Sequence, residues 1–351
     1  MRNLFFLLLL AAFSCIPLSA QQDEYPTFED TLAVYRDLFG IQEPLNLTLK
    51  TDLKHFQRSR TKEEYQPAEL TCQVNDTFQV THNIRIKARG IFRLDYCISV
   101  APIWLNIKHA GIETEELAEV NKLKLVTHCR SGTKFLDYVL REYLCYKIYN
   151  LLSPYSFNVR LVWMKYIDTG REDKVTEGWG FIIEPEEMMA ERNNCMPIKN
   201  DRLSLATVDK EWMDKVAFYS YMIGQGDFSV TGRHNLKILK SKEYGTGGFI
   251  PVPYDFDYCG LVNTPYATPR EDLDIANVKE RYYLGACRDE EVHEKTIRWL
   301  ASYREDIENL VRSFEYMEEE ERMDMLEYIE SYYKASEQKN FIARSINSTC
   351  N

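Results

Sequence analysis

The sequence predicts an α+β fold, with a strand-rich front half and a mainly helical back half. Two observations indicate this division. Between residues 45 and 126, apolar and polar residues alternate with the period of two that strands show, as in Asn83 to Arg89. In the back half, apolar residues recur at three- and four-residue spacing, as in Glu290 to Phe314, which is typical of amphipathic helices.

The first twenty residues have the features of a cleavable signal peptide. Arg2 is followed by the apolar run Leu4 to Phe13 and by the small-residue ending Leu18-Ser19-Ala20, which is the pattern that a signal peptidase recognises. The apolar run is shorter than the roughly 20 residues that a membrane-spanning helix needs. We therefore expect cleavage after Ala20 and an exported protein, either periplasmic, on the cell surface or secreted. A rival interpretation makes Cys15 a lipidated cysteine.

Composition limits the partners and the compartment. The chain has 351 residues, of which 45% are apolar, and a net charge of −11 that becomes −12 once Arg2 is removed. Such acidity repels nucleic acid and anionic membrane surfaces, so neither is an expected partner. No later segment is apolar enough to predict a transmembrane span. Eight cysteines follow residue 20, and an even number favours disulfides in an exported chain without fixing their pairing. Some of the eight also fit buried thiols.

The front half is predicted to combine several strands with one helix. Residues 21 to 44 are expected to form a lead-in with a short helix near Phe28 to Phe39, and Glu113 to Glu119 a loop or short helix. Side chains at helical spacing predict an amphipathic helix over Phe135 to Leu152. Strands are expected at Asn83 to Arg89, Pro102 to Ile107, Lys122 to Val126, Asn158 to Ile167 and Trp179 to Ile183.

The back half begins with a helix whose two ends can be predicted. Asp209 is a suitable N-cap, and Gly224 and Gly226 are suitable to stop the helix after Ile223. A strand pair at Asn235 to Leu239 and Gly248 to Val252 should follow, joined by a glycine-rich turn. Two long helices are expected to close the chain, at Glu290 to Phe314 and Glu318 to Ser336.

The residues with the clearest chemical meaning lie on either side of the predicted strand pair. Phosphoryl transfer needs one carboxylate to orient or deprotonate the acceptor hydroxyl, and an Asn and a second Asp to hold metal ions on the phosphates. Asp227, Asn235 and Asp255 occur in that order, with the hairpin between the last two. The same residues also fit a structural interpretation, with Asp227 and Asp255 in turns and Asn235 at a strand edge.

A series of short motifs between residues 80 and 265 resembles the spore-coat CotH kinase family. The motifs are Arg89-Gly90, Leu123-Lys124-Leu125, Arg141-Glu142, Gly180 to Glu184, Asp227 to Asn235, Phe249-Ile250-Pro251 and Asp255-Phe256-Asp257. The resemblance implies an atypical protein-kinase-like fold in one two-lobed domain over residues 45 to 351, with the lobes meeting near residue 184. It also implies ATP with Mg²⁺ or Mn²⁺ as cofactor and a protein or surface polymer as phosphate acceptor.

When the motifs of the family are matched to this sequence position by position, the resemblance assigns roles to four residues. Asp227 would be the catalytic Asp, Asn235 and Asp255 would be metal ligands, and Asp257 would be an accessory carboxylate. The phosphate-binding Lys of the family is absent, because the corresponding stretch Ala101 to Leu105 contains no Lys.

Several nearby residues are candidates to replace the missing cation. Lys87, Arg89 and Lys124 are the candidates that we assign to nucleotide binding, and Lys122 and Arg93 are further ones. Glu184 is either a nucleotide-site carboxylate or a cap for the next helix. Glu142 either pairs with the phosphate-binding cation or faces solvent.

Three functions follow as hypotheses. The first is an exported, metal-dependent phosphotransferase. The second is a non-catalytic exported binding or assembly protein on the same scaffold, which the missing Lys and the scarcity of ATP outside the cytoplasm favour. The third is a metal-dependent hydrolase that uses the same carboxylates to activate water.

Overall fold

A computed structural model describes residues 38 to 350, except residues 63, 74 to 78, 91, 108 to 120, 200 to 202, 244 and 246. The predicted signal peptide, Cys15, most of the predicted helix near Phe28 to Phe39, and the stretch Glu113 to Glu119 lie outside the described residues. Mixed α+β architecture is confirmed, with strands concentrated before residue 184 and helices after it.

Seven strands of the front half close into a barrel. They are β1 (Leu45–Thr51), β2 (Gln66–Gln73), β3 (Gln79–Ala88), β4 (Ile103–Asn106), β5 (Lys122–Val126), β6 (Val159–Asp168) and β7 (Lys174–Ile183). Their order around the barrel is β1-β2-β3-β4-β5-β7-β6. Neighbours are antiparallel except β1 and β6, which run parallel with Leu45 opposite Val162 and close the barrel. This closure differs from the kinase-like sheet that the resemblance implied.

Alternation along the strands fills the barrel and leaves a polar outer face. Ile84 and Ile86 of β3 point inward and are buried, whereas Lys87 between Ile86 and Ala88 points outward. Lys87 lies opposite Trp104 of β4, and Trp104 lies opposite Lys124 of β5. Directly opposed residues share a face of the sheet, so these three side chains form one row on the outside of the barrel.

Helices occupy the rest of the chain. They are α1 (Leu53–Ser59), α2 (Phe92–Tyr96), α3 (Thr133–Leu152), α4 (Glu186–Arg192), α5 (Lys210–Ile223), α6 (Glu290–Ala301), α7 (Arg304–Arg312) and α8 (Glu319–Ser336), with a π-helical turn at Ile342–Ile346. The predicted helices that became α3 and α5 are confirmed. Asp209 caps α5 by accepting a hydrogen bond from the Trp212 backbone N–H, and Gly224 ends it at φ 70°.

The prediction of one long helix over Glu290 to Phe314 was wrong. The chain breaks at Ser302, whose hydroxyl donates to the Trp299 carbonyl 2.6 Å away, and Tyr303 leaves the helical conformation at φ −99°, ψ 3°. After the break, α7 packs against α8, and Arg304 of α7 pairs with Glu330 of α8. Such a tertiary ion pair has no signature in local periodicity.

A small second sheet lies in the back half. It contains β8 (Cys195–Pro197), β9 (Leu236–Ser241) and β10 (Ile250–Pro253) in the order β10-β9-β8, all antiparallel. The predicted strand pair is confirmed as the β9–β10 hairpin. β8 was not predicted, because three residues are too few to show alternation.

Two hydrophobic cores support these elements. One fills the barrel, and the larger one packs α3 against β6, β7, α5, the small sheet and the C-terminal helices. Disulfides join Cys97 to Cys129 and Cys287 to Cys350, which confirms that disulfides form. The other four cysteines after residue 20 are buried thiols. Within the described part of the chain, no helix combines the length and the apolar character that a membrane crossing requires.

Candidate functional site

The predicted site residues come from several elements that meet between the barrel and α3 on one side and the small sheet on the other. Arg89 follows β3, Lys124 lies on β5, and Asp227 follows α5. Asn235 immediately precedes β9, and Asp255 lies two residues after β10. The site therefore depends on both halves of the chain.

Hydrogen bonds join the segments that carry Asp227, Asn235 and Asp255. The Asn235 side-chain amide donates to the Asp227 backbone carbonyl at 2.7 Å and to its Oδ2 at 3.1 Å. His234 Nε2 lies 3.1 Å from the same Oδ2. The Gln225 amide donates to the Asp255 carbonyl at 2.9 Å. The order Asp, Asn, Asp of the sequence thus becomes a single cluster.

The backbone of this cluster is unusual. Arg233, Asn235 and Asp255 have φ of 48°, 51° and 63°, in the left-handed region. Asn and Asp tolerate this region better than most residues do, but such conformations persist only when their surroundings fix them. The Asp255 N–H donates to the buried Tyr146 hydroxyl at 2.8 Å, which supplies part of this constraint.

A buried charged network lies behind the cluster. Arg93 Nη1 is 3.6 Å from Glu142 Oε2 and 3.8 Å from Asp257 Oδ2. The Tyr266 hydroxyl donates to Asp257 Oδ2 at 2.9 Å. Glu142 Oε1 is buried and has no hydrogen-bond partner among the described residues. Glu142 is buried and pairs with Arg93, so the solvent-facing interpretation is wrong; a phosphate-binding role for this cation stays a prediction.

Burial dominates the electrostatics of this network. Burial, together with the nearby charge of Asp255, raises the pKa of Asp257 to about 7 against the opposite effect of Arg93. Burial also raises the pKa of Glu142 well above its usual value, with Asp257 as the next cause. The Asp257 charge therefore opposes ionisation of Glu142, although both carboxyls share the Arg93 guanidinium.

Two cations on the barrel side have carboxylates nearby but none in direct contact. Neither Arg89 nor Lys124 forms an ion pair with a described carboxylate, and Arg89 Nε is buried without a hydrogen-bond partner. Burial lowers the pKa of Arg89, while Asp255 raises it. Burial and the positive charges of Arg89 and Lys237 lower the pKa of Lys124 to about 8, against the opposite effect of Asp255. Its ammonium lies 5.2 Å from the Tyr254 ring centroid.

The structure does not bring every predicted residue into the cluster. Glu184 is buried and forms a two-point ion pair with Arg192, both bonds being 3.0 Å, and it also accepts from the Asn158 N–H. Its carboxylate is thus occupied by structural contacts. Lys87 lies in the outer row two strands from Lys124, about 10 Å away, with its ammonium 5.6 Å from the Tyr65 ring centroid.

Part of the cluster suits a hard divalent cation. The Asp255 carboxylate receives no hydrogen bond from the described residues, and Asn235 uses its amide nitrogen on Asp227, which leaves its amide oxygen available. Such oxygens are ligands that Mg²⁺ prefers, usually together with phosphate oxygens. Asp257 fits less well, because Arg93 and Tyr266 already hold its carboxylate. Within the described residues, no group of three or more His, Cys, Asp and Glu side chains could hold a metal ion.

Sequence reasoning missed several residues that shape the cluster. Gln225, Lys237 and Tyr266 carry no motif and reach the site only through tertiary packing. Tyr146 had a partial signal, because it shares the apolar face of α3 with Glu142 at a spacing of four residues. That spacing placed Glu142 on the face of α3 that packs inward, although the sequence alone also allowed it to face solvent.

Comparison with known proteins identifies a distant structural likeness. No protein-family model matches the sequence, and no curated protein matches it. The CotH resemblance is therefore not confirmed. Among solved structures, the Helicobacter pylori proinflammatory kinase CtkA matches with 11% identity and a TM-score of 0.40, over 66% of this chain and 90% of that one. A likeness at this level does not establish a shared activity.

Proposed function

We propose that the protein is a metal-dependent phosphotransferase that binds a nucleoside triphosphate between the barrel and the small sheet. The observation that carries the proposal is that Arg89 and Lys124, both largely buried near Asp255, form no ion pair with a described carboxylate. A buried cation without a partner is costly, and an anionic ligand removes that cost. A magnesium triphosphate complex carries net negative charge and would meet Arg89 and Lys124 with its phosphates and Asp255 with its metal.

Each residue then has a distinct task. Arg89 and Lys124 bind phosphate oxygens, and Asn235 and Asp255 hold the cation, which would neutralise charge on the phosphates when bound. Asp227 orients the acceptor hydroxyl and takes up its proton. Asn235 and His234 hold the Asp227 carboxylate in place. ATP with Mg²⁺ or Mn²⁺ is the expected cofactor, and a protein or surface polymer the expected acceptor.

The network behind the cluster favours a second candidate, a binding protein that keeps the scaffold without transfer. In protein kinases, the carboxylate of the corresponding helix holds a phosphate-binding cation. Here Glu142 holds Arg93, which Asp257 also holds inside the protein. Arg93 is therefore less available to phosphates than Arg89 or Lys124.

Export remains part of the proposal. Disulfides persist mainly in oxidising compartments, and the two disulfides are compatible with the predicted signal peptide. Sequencing the N-terminus of the protein after export from a bacterial host would test cleavage after Ala20.

A thermal-shift titration with ATP and Mg²⁺ or Mn²⁺ tests the nucleotide site. A ligand at a hundred times its dissociation constant adds about 2.7 kcal/mol of stability, so binding should raise the melting temperature clearly. Asp255→Ala should abolish the metal-dependent part of the shift. Asp306→Ala, which removes an exposed carboxylate on α7, is the matched control and should leave the shift unchanged.

The outcomes separate the candidates. Nucleotide protection together with metal-dependent transfer of labelled phosphate to a protein or polymer acceptor supports the phosphotransferase. Nucleotide protection without transfer or hydrolysis supports the binding protein. Protection by metal alone, with no response to nucleotide, supports the hydrolase. No protection of a cooperatively folded sample by any nucleotide would contradict the proposal.

A further inference from the structure

Two of the four buried thiols touch each other. The sulfur atoms of Cys145 and Cys259 are 3.9 Å apart, and neither side chain is exposed to solvent. No such contact joins Cys72 or Cys195 to another described cysteine, and the Cys195 thiol donates to the Asn193 carbonyl instead. Cys145 and Cys259 are therefore a pair, and Cys72 and Cys195 are single buried thiols.

We propose that Cys145 and Cys259 form a third disulfide that ties α3 to the segment carrying Asp255 and Asp257. Sulfur atoms in a disulfide are about 2.05 Å apart, so the two must approach by about 2 Å for the bond to form. The backbone at both positions is anchored: the Tyr219 hydroxyl donates to the Cys145 carbonyl at 2.6 Å, and the Cys259 N–H donates to the Phe256 carbonyl at 3.0 Å. The contact therefore belongs to the packed core.

The chemistry requires an oxidant and access to it. The two thiols lose two protons and two electrons as the sulfur–sulfur bond forms, and a small-molecule or protein disulfide accepts them and becomes two thiols. The reaction proceeds through a mixed disulfide, which needs one sulfur to be reachable. Since both sulfurs are buried in the folded protein, the bond must form during folding or local opening.

The position of the bond gives it a structural consequence. Glu142 lies one turn before Cys145 on α3, and Asp257 lies two residues before Cys259. The bond would close a loop between residues 114 apart in sequence. It would fix the spacing between the helix that holds Glu142 and the segment that holds Asp257, independently of any ligand.

Peptide mapping tests the proposal on the full chain. The chain is unfolded, reduced, refolded with reduced and oxidised glutathione, and alkylated under denaturing conditions without reductant. Mass spectrometry of the digest should find Cys145 linked to Cys259, with Cys72 and Cys195 alkylated. Alkylation of all four thiols in a cooperatively refolded sample would overturn the proposal, as would a link from Cys145 or Cys259 to any other cysteine.

Two matched variants measure the consequence of the bond. Cys259→Ala should leave Cys145 alkylated and should speed amide hydrogen exchange in residues 255 to 260 at least tenfold. Cys72→Ala, which removes a buried thiol without a sulfur neighbour, should leave both the link and the exchange unchanged. Equal exchange in wild type and Cys259→Ala would contradict the proposed tie, and the peptide map remains decisive if Cys259→Ala fails to fold.

Discussion

Arg141 and Glu142 are adjacent on α3 and both buried, yet their surroundings differ in kind. The Arg141 guanidinium donates to the Leu261 carbonyl at 3.2 Å and pairs with Glu321 and Asp324 of α8, so it is well supplied with acceptors. Glu142 shares Arg93 with Asp257 and keeps one buried oxygen without a partner among the described residues. Arg141 therefore joins two helices, whereas Glu142 belongs to an incompletely satisfied site.

The difference gives a criterion for function. Charges that the fold uses for stability have acceptors and donors on all sides, as Arg141 and the Glu184–Arg192 pair do. Arg89 and Lys124, which we propose bind a ligand, form no ion pair with a described carboxylate. Removing a fully paired charge such as Arg141 should destabilise the protein. Removing a charge without a direct ion pair, such as Lys124, should not.

Arg141→Met gives the largest expected effect. It leaves Glu321 and Asp324 only their longer contacts, with Lys134 at 3.6 Å and Lys279 at 3.8 Å, and breaking a buried ion pair from one side typically costs about 3 to 5 kcal/mol. Because Asp324 is 45% exposed, we expect a loss of about 2 to 4 kcal/mol in the free energy of unfolding, measured by urea denaturation. Arg298→Met, which breaks an exposed pair with Glu294, should change it by less than about 0.5 kcal/mol. Equal losses in the free energy of unfolding for Arg141→Met and Arg298→Met would show that the buried contacts of Arg141 stabilise the protein no more than an exposed ion pair does.

Asp257→Asn should show its effect through pH. The folded-state pKa of Asp257 is raised to about 7, above an unfolded value near 3.9. Between about pH 4 and 7 the unfolded chain releases this proton and the folded protein retains it, so the free energy of unfolding falls as pH rises. The neutral Asn avoids this loss.

We expect Asp257→Asn to be more stable than wild type at pH 8, by about 1 to 2 kcal/mol, and the advantage to shrink at pH 5. Urea denaturation at both pH values measures it. Asp306→Asn is the exposed control and should show no such pH dependence. A variant that is less stable than wild type at pH 8 would show that the Arg93 ion pair outweighs burial.

Lys124→Met should separate stability from binding. Burial and neighbouring cations lower the pKa of Lys124 to about 8, so its charge at pH 7 opposes folding. Removing the charge should raise the free energy of unfolding by about 1 kcal/mol, since lost cation–π contacts offset part of the gain. The same variant should lose most of the thermal protection by ATP and Mg²⁺.

Lys215→Met is the control, because the Lys215 ammonium also contacts aromatic rings, at 4.1 Å from the Trp212 ring centroid, but lies on α5 and pairs with Glu211. It should keep the ATP protection. Retention of full protection by Lys124→Met would remove Lys124 from the proposed phosphate site.

Local patterns predicted much of the fold and part of the site. The strand over Lys122 to Val126 and the helix cap at Asp209 were predictable, because both depend on residues that are close together in the sequence. The barrel was not, because β1 meets β6 across more than a hundred residues of sequence, and no local pattern records that pairing. Asp227, Asn235 and Asp255 were predictable as an ordered set, whereas the partnership of Arg93 with Glu142 depends on packing that brings α2 against α3.

His234→Ala gives the smallest expected effect and tests how the Asp227 carboxylate is held. The His234 side chain is 60% exposed and contacts Asp227 Oδ2, so its removal should change the free energy of unfolding by less than about 0.5 kcal/mol. The more buried Asn235 amide donates to both the carbonyl and Oδ2 of Asp227, so Asn235→Ala should cost about 1 to 3 kcal/mol. If the two variants cost the same in urea denaturation, Asn235 does not anchor Asp227 as the geometry indicates, and the catalytic assignment of Asp227 loses its structural support.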